Sequence, residues 1–301
     1  MIHFNSSRIL IPVDFSQTSL LAINHGAFIA QKTGASIFLL HVVNTHYMSQ
    51  NMFLPKVSLN DQSSAETKAM EKLNEFAEEV KADYKVEVES IIKSGNPSIE
   101  VTKVAREIKA SLVVMGTHGY SPIKEIMIGS VALKVITKSP CPTMVMTSEA
   151  SHNSYARIVM PIDNTVNSKQ KVNFTLEMAK KFNATVYGLG LLTNEERYDK
   201  PIMDLVLSQV AKIAKEMGVP YESETVNGVK NRAIATIEYV EKVNGDLITI
   251  MTDQDAELSG FFLGPYSQQI IHLSKVPVVA IKPVDLFVDE TEFPIPRTSG
   301  F

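Results

Sequence analysis

The chain has 301 residues, 45% hydrophobic and 21% charged, with a formal net charge of -4. This composition belongs to globular protein with enough length for two ordinary domains, and its Lys and Arg are scattered rather than gathered into the basic field that holds nucleic acid by its phosphates. One cysteine, Cys141, excludes an internal disulfide, and the chain shows neither a signal-peptide layout nor an apolar run of about 18 residues, so a cytoplasmic protein without nucleic-acid or membrane partners is expected.

Residues 8–13, RILIPV, form an apolar run closed by Asp14 and the polar cluster Phe15-Ser16-Gln17-Thr18-Ser19. Such a run reads as a strand buried on both faces, as in parallel sheets. Residues 20–32 carry apolar side chains at helical spacing (Leu20, Ile23, Ala27, Ala30) and stop at Gly34. Residues 37–43 complete a βαβ unit. Residues 44–59 are polar and Met-rich, contain Pro55 and read as a long loop. A charged amphipathic helix over 65–80 and an edge-like alternating strand over 86–92 follow. Asn96-Pro97 then opens a helix with proline in its first turn, ahead of buried strands at 112–115 and 143–146. The order predicts a doubly wound α/β unit with a mostly parallel five-stranded sheet.

After a polar linker at 148–154 the pattern begins again. RIVMPID at 157–163 lies over RILIPVD at 8–14 at an offset of 149, and LITI at 247–250 lies over LVVM at 112–115 at an offset of 135. A period this long is a duplicated domain, since solenoid units are far shorter. The expected organisation is therefore two domains, 1–150 and 151–284, with residues 285–301 as a C-terminal tail.

The stretch 116–130, GTHGYSPIKEIMIGS, is the part most suited to binding. It follows a strand and leads into a helix, and in doubly wound sheets the crevice beside the strand-order reversal is the usual ligand site. Glycines there let backbone N–H groups approach an anion, and the helix adds its positive end. Gly116, Gly119, Gly129 and Ser130 are thus expected to cradle phosphate, with Ser130 also capping the helix. Taken singly, each glycine is better accounted for by a tight turn or a helix cap.

The combined spacing, G-x-x-G, nine residues, then G-S, resembles the nucleotide-binding motif of the universal stress protein family. The likeness covers about 8–147 and 157–282 and includes PVDFS at 12–16, LLHV at 39–42 and GSVALKVITKSPCPTMVM at 129–146. It implies two Rossmann-like sheets of the adenine-nucleotide α-hydrolase kind and an ATP site. By position it assigns that site to Pro12, Asp14, Val42, Met115, Gly116, Gly119, Gly129, Ser130 and Val131; His118 stands between the two glycines as a further candidate. Asp14 also fits by its placement, because a carboxylate at a strand's carboxyl end can accept from ribose hydroxyls, with a plain helix N-cap as the alternative.

The second copy departs from the motif. Met251 and Gln254 replace the first two glycines, and Pro265, which has no N–H, replaces Ser130. Asp253, Asp255 and Glu257 would repel a polyphosphate. One nucleotide site, in the first half, is expected.

Chemistry beyond binding finds little support. The Lys and Ser/Thr of a P-loop are missing at their spacing, Lys124 reads as a solvated helix lysine, and His41 as a packed strand histidine. No Cys or His pair suggests a structural metal, so Mg accompanying ATP is the only metal expected. The resemblance implies a non-enzymatic stress or signalling module that responds to ATP. A slow ATPase or nucleotidyl-transfer enzyme is the alternative, and a structural module that has lost binding is the third reading. The family's pairing of final strands implies that 142–147 and 277–282 join the halves as a pseudo-dimer, with a further homodimer as an extension.

Overall fold

A computed structural model describes residues 2–44, 59–119, 128–150, 154–252 and 263–283. The first half runs β1 (Arg8–Pro12), α1 (Gln17–Thr33), β2 (Ser36–Val43), α2 (Leu59–Tyr84), β3 (Val88–Ser94), α3 (Pro97–Glu107), β4 (Leu112–Gly116), α4 (Ser130–Lys138) and β5 (Thr143–Met146). The second repeats it as β6 (Arg157–Ile162), α5 (Val166–Phe182), β7 (Thr185–Leu192), a 3-10 turn at Arg197–Asp199, α6 (Lys200–Met217), β8 (Tyr221–Asn227), α7 (Arg232–Lys242), β9 (Leu247–Met251), α8 (Pro265–Leu273) and β10 (Val278–Ile281).

Local chemistry explains the boundaries. The Ser16 side chain accepts from the Ser19 amide and starts α1 three residues before the apolar period begins, and Gly34 ends it at φ 75°. Thr165 and Asn183 play the same parts for α5. α2 starts at Leu59, inside the polar stretch read as loop, because LNDQSS offers no apolar period to announce a helix. The rest of that stretch and the tail at 285–301 lie outside the described residues. α6 has 18 residues against 26 for α2, which locates much of the second copy's shortfall.

All strands within a half are parallel, and the halves share one ten-stranded sheet of order β3-β2-β1-β4-β5-β10-β9-β6-β7-β8. Among the described residues the only antiparallel pairing joins β5 to β10, with Val145 opposite Val278 and Met144 opposite Val279. Two five-stranded units thus cover each other's apolar edge. Ile9, Leu10 and Ile11 are wholly buried, alternating between the two helical layers, which is why β1 reads as a continuous apolar run.

Helices α1 and α5 meet over the β5–β10 seam. Phe4 sits edge-on to Phe174 at 5.2 Å, and Phe28 stacks on Phe182 at 6.0 Å. Tyr155, directly after the linker and held at φ 49°, is fully buried among them. Its hydroxyl lies 2.5 Å from His25 Nδ1, while His25 Nε2 lies 2.9 Å from the Ala150 carbonyl. A neutral imidazole satisfies both contacts, accepting from the phenol and donating to the carbonyl, and burial holds the His25 pKa below its usual value.

Candidate functional site

Strand order reverses at β1, which lies between β2 and β4. At its carboxyl end Pro12 gives way to Asp14, and Phe15 adopts φ 65° to turn the chain into α1. Asp14 is not the helix cap; Ser16 is. Instead Asp14 Oδ1 accepts from the Ser16 amide (3.0 Å) and hydroxyl (2.5 Å), and Oδ2 faces Gly119. His41 is tied by Nδ1 to the Val13 carbonyl at 2.7 Å, with its ring 4.6 Å from Phe15.

The glycines act through close approach. A Cβ on Gly116 would stand 2.7 Å from Thr18 Cβ, and one on Gly119 would collide with Asp14 Oδ2. A Cβ on Gly129 would come 2.9 Å from the Thr117 carbonyl oxygen. Gly116 therefore makes room for Thr18 of α1, and Gly119 for the Asp14 carboxylate.

Two expectations for this stretch need correction. The Gly129 amide is not offered to a ligand: it donates to Thr117 O at 2.9 Å and closes the loop on itself. Ser130 does not cap α4; Gly129 occupies the cap position and no side chain bonds there. Leu133 is the first residue of the helix to donate back, to Gly129. The amides of Ser130, Val131 and Ala132, at the positive end of α4, have no partner among the described residues.

These pieces surround one pocket of about 270 Å³. Asp14, Pro12 and Val42 contribute from β1 and β2, Met115 and Gly116 from β4, His118 and Gly119 from the loop, and Gly129, Ser130 and Val131 from the start of α4. All ten candidates thus line the same space. Lys124 lies outside the described residues. Pro97 and Val101 add an apolar wall from α3 that the motif did not indicate. Thr18 was also missed: its hydroxyl donates to the His118 carbonyl. The pocket offers bare amides, one carboxylate and an apolar side, a set suited to a ligand with an anionic group, hydroxyls and an apolar ring.

In the second copy larger or charged side chains stand at corresponding positions. Tyr266 stands at the position of Val131, 3.0 Å by its hydroxyl from Thr236, which takes the position of Val101. Burial, with the Asp163 charge nearby, pushes the Tyr266 hydroxyl well above its usual pKa. Lys171, where the first copy has Ala22, is fully buried, with Nζ 2.9 Å from Ser168 Oγ; burial lowers its pKa to about 8 against the pull of Asp163. Arg232 pairs with Glu196. Met251 is wholly buried, and Pro265 opens α8. Gln254 and the acidic run from Asp253 to Glu257 lie outside the described residues.

The profile of the universal stress protein family matches residues 5–147 and again 154–282. The chain belongs to that family. Individual universal stress proteins align with one half each. YxiE of Bacillus subtilis (strain 168) is 30% identical over 145 residues, covering 46% of this chain and 98% of its own. MJ0577 of Methanocaldococcus jannaschii is 31% identical over 158 residues, covering 48% of this chain and 96% of its own. A crystal structure of a universal stress protein from Archaeoglobus fulgidus DSM 4304 matches the whole arrangement, with a TM-score of 0.74 and 21% identity over 95% of this chain and 99% of that one. This universal stress protein is therefore a tandem form, two family units in one chain. Among the described residues no helix is long and apolar enough to cross a membrane, and no group of three or more His, Cys, Asp or Glu is placed to hold a metal.

Proposed function

We propose that this universal stress protein binds ATP, or a related adenine nucleotide, in its first half and acts as a non-enzymatic stress-response or signalling module. The observation that carries the reading is the convergence of the ten candidate residues, drawn from positions 12 to 131, on one pocket at the strand-order reversal. In this reading the open amides of α4 hold phosphate, Asp14 Oδ2 accepts from ribose, and Val42, Pro97 and Val101 face the base. Any Mg would arrive with the nucleotide. The second half binds none, since Tyr266 and Lys171 stand where the first copy has Val131 and Ala22.

Binding is favoured over catalysis because the described pocket holds no lysine or arginine to neutralise charge developing on a transferred phosphoryl group. The test is mass spectrometry of small molecules released from the purified protein, followed by timed phosphate release with added ATP. An adenine nucleotide with no turnover supports the reading. A different ligand refutes it, and sustained phosphate release favours the ATPase alternative.

A further inference from the structure

The first turn of α1 grips two sides of the pocket with neighbouring hydroxyls. Ser16 Oγ donates to Asp14 Oδ1, and Thr18 Oγ1 donates to the His118 carbonyl, 100 positions away. Both acceptors lack protons of their own, so each hydroxyl proton is committed outward, and the 3.0 Å between the two hydroxyl oxygens is a packing contact. We propose that Thr18 is a positioning residue: it fixes the glycine loop at His118, holding Gly119 against Asp14 so that phosphate and ribose groups are met at one fixed spacing. The inference rests on the nucleotide reading of the pocket.

The internal repeat separates this role from a purely structural one. The grip on the carboxylate exists in both copies, since Thr165 Oγ1 donates to Asp163 Oδ1 at 2.6 Å. The grip on the loop is tied to the glycine motif. At the position of Thr18 the second copy has Asn167, whose Oδ1 accepts from Gln170 at 3.4 Å within α5. Opposite it, Met251 replaces Gly116, whose missing Cβ is what lets Thr18 approach. If the Thr18 bond served the fold alone, the copy with degenerate glycines would need it equally. Among the described residues it is found only in the copy whose glycine motif is intact.

The experiment uses the full chain and three variants. Thr18→Val keeps the shape and removes the donor, Thr18→Ser keeps the donor, and Thr18→Ala removes the donor with no branched methyl against Gly116, which serves if the valine variant fails to fold. Hydrogen exchange of the ligand-free protein reads the loop directly: residues 116–119 should exchange about fivefold faster in Thr18→Val, as loss of one hydrogen bond implies, and at the wild-type rate in Thr18→Ser. Calorimetry should show about fivefold weaker ATP binding for Thr18→Val, less than twofold change for adenosine, and recovery in Thr18→Ser. Unchanged exchange and an unchanged ATP Kd in the donor-less variants would overturn the proposal, as would equal losses for ATP and adenosine. If the wild type binds neither ligand, the nucleotide reading fails, while the exchange rates still decide whether Thr18 holds the loop.

Discussion

The Gly129 amide donates to the Thr117 carbonyl at 2.9 Å, so the two ends of the glycine stretch close on each other. A side chain at 129 would press on that same backbone oxygen, which cannot rotate away. Gly129→Ala is expected to lower stability by about 1–2 kcal/mol and to weaken nucleotide binding, because the loop must shift to relieve the contact. Urea unfolding and calorimetry on one preparation check both effects; wild-type values in both would show that the loop yields freely.

Lys171 gives the second half a distinctive pH dependence. Its pKa is lowered from 10.5 unfolded to about 8 folded by burial. Between these values the unfolded chain binds more protons, so stability rises with pH; the cost is fully present below about 8 and relieved by about 10.5. The span corresponds to about 3 kcal/mol. Urea unfolding at pH 7, 8.5 and 10 should show the rise in wild type and lose it in Lys171→Met. Persistence of the rise in the variant would assign it elsewhere.

His25 works in the opposite pH range. Because its folded pKa lies below 6.5, the unfolded state takes up the proton first as the solution is acidified. Stability is therefore held above pH 6.5 and declines below it. His25→Phe removes that dependence but leaves the Tyr155 hydroxyl only the weakly accepting Met144 sulfur and takes the donor from the Ala150 carbonyl, at a cost of about 1–3 kcal/mol at pH 7. Thermal unfolding across pH 5–7.5 reads both consequences, and an acid decline unchanged in the variant would exonerate His25.

The seam predicts what a half does alone. Residues 1–150 without the rest would leave the fully buried strand TMVM as an unpaired edge. Sedimentation of that fragment should show a dimer, two β5 strands pairing as β5 pairs β10; a stable monomer at high concentration would contradict it.

Much of this was legible in the residues. Wholly buried strands such as Ile9 to Ile11 announce themselves by composition, and the duplication follows from RIVMPID lying over RILIPVD. The residues that line the pocket were legible mostly through the resemblance to the family motif, of which the chain's own spacing carries only the glycines and Ser130. Thr18 was not, since its partner is 100 positions away and a threonine in a first helical turn looks ordinary. The cap at Gly129 was misread because serine usually outranks glycine there, and the tertiary Gly129–Thr117 bond decided otherwise. Tyr266 and Lys171 stand where the first copy has Val131 and Ala22, and nothing in a single sequence says that Lys171 is buried or that Tyr266 reaches Thr236.

Ser130 allows the most direct test of the central claim. It is exposed at the first position of α4, where an aspartate suits the helix dipole yet would face a bound phosphate. Calorimetric titration with ATP should give one site per chain for wild type, with Ser130→Asp binding at least about tenfold more weakly at an unchanged Tm. Two sites per chain, or equal ATP affinity in Ser130→Asp, would contradict the account.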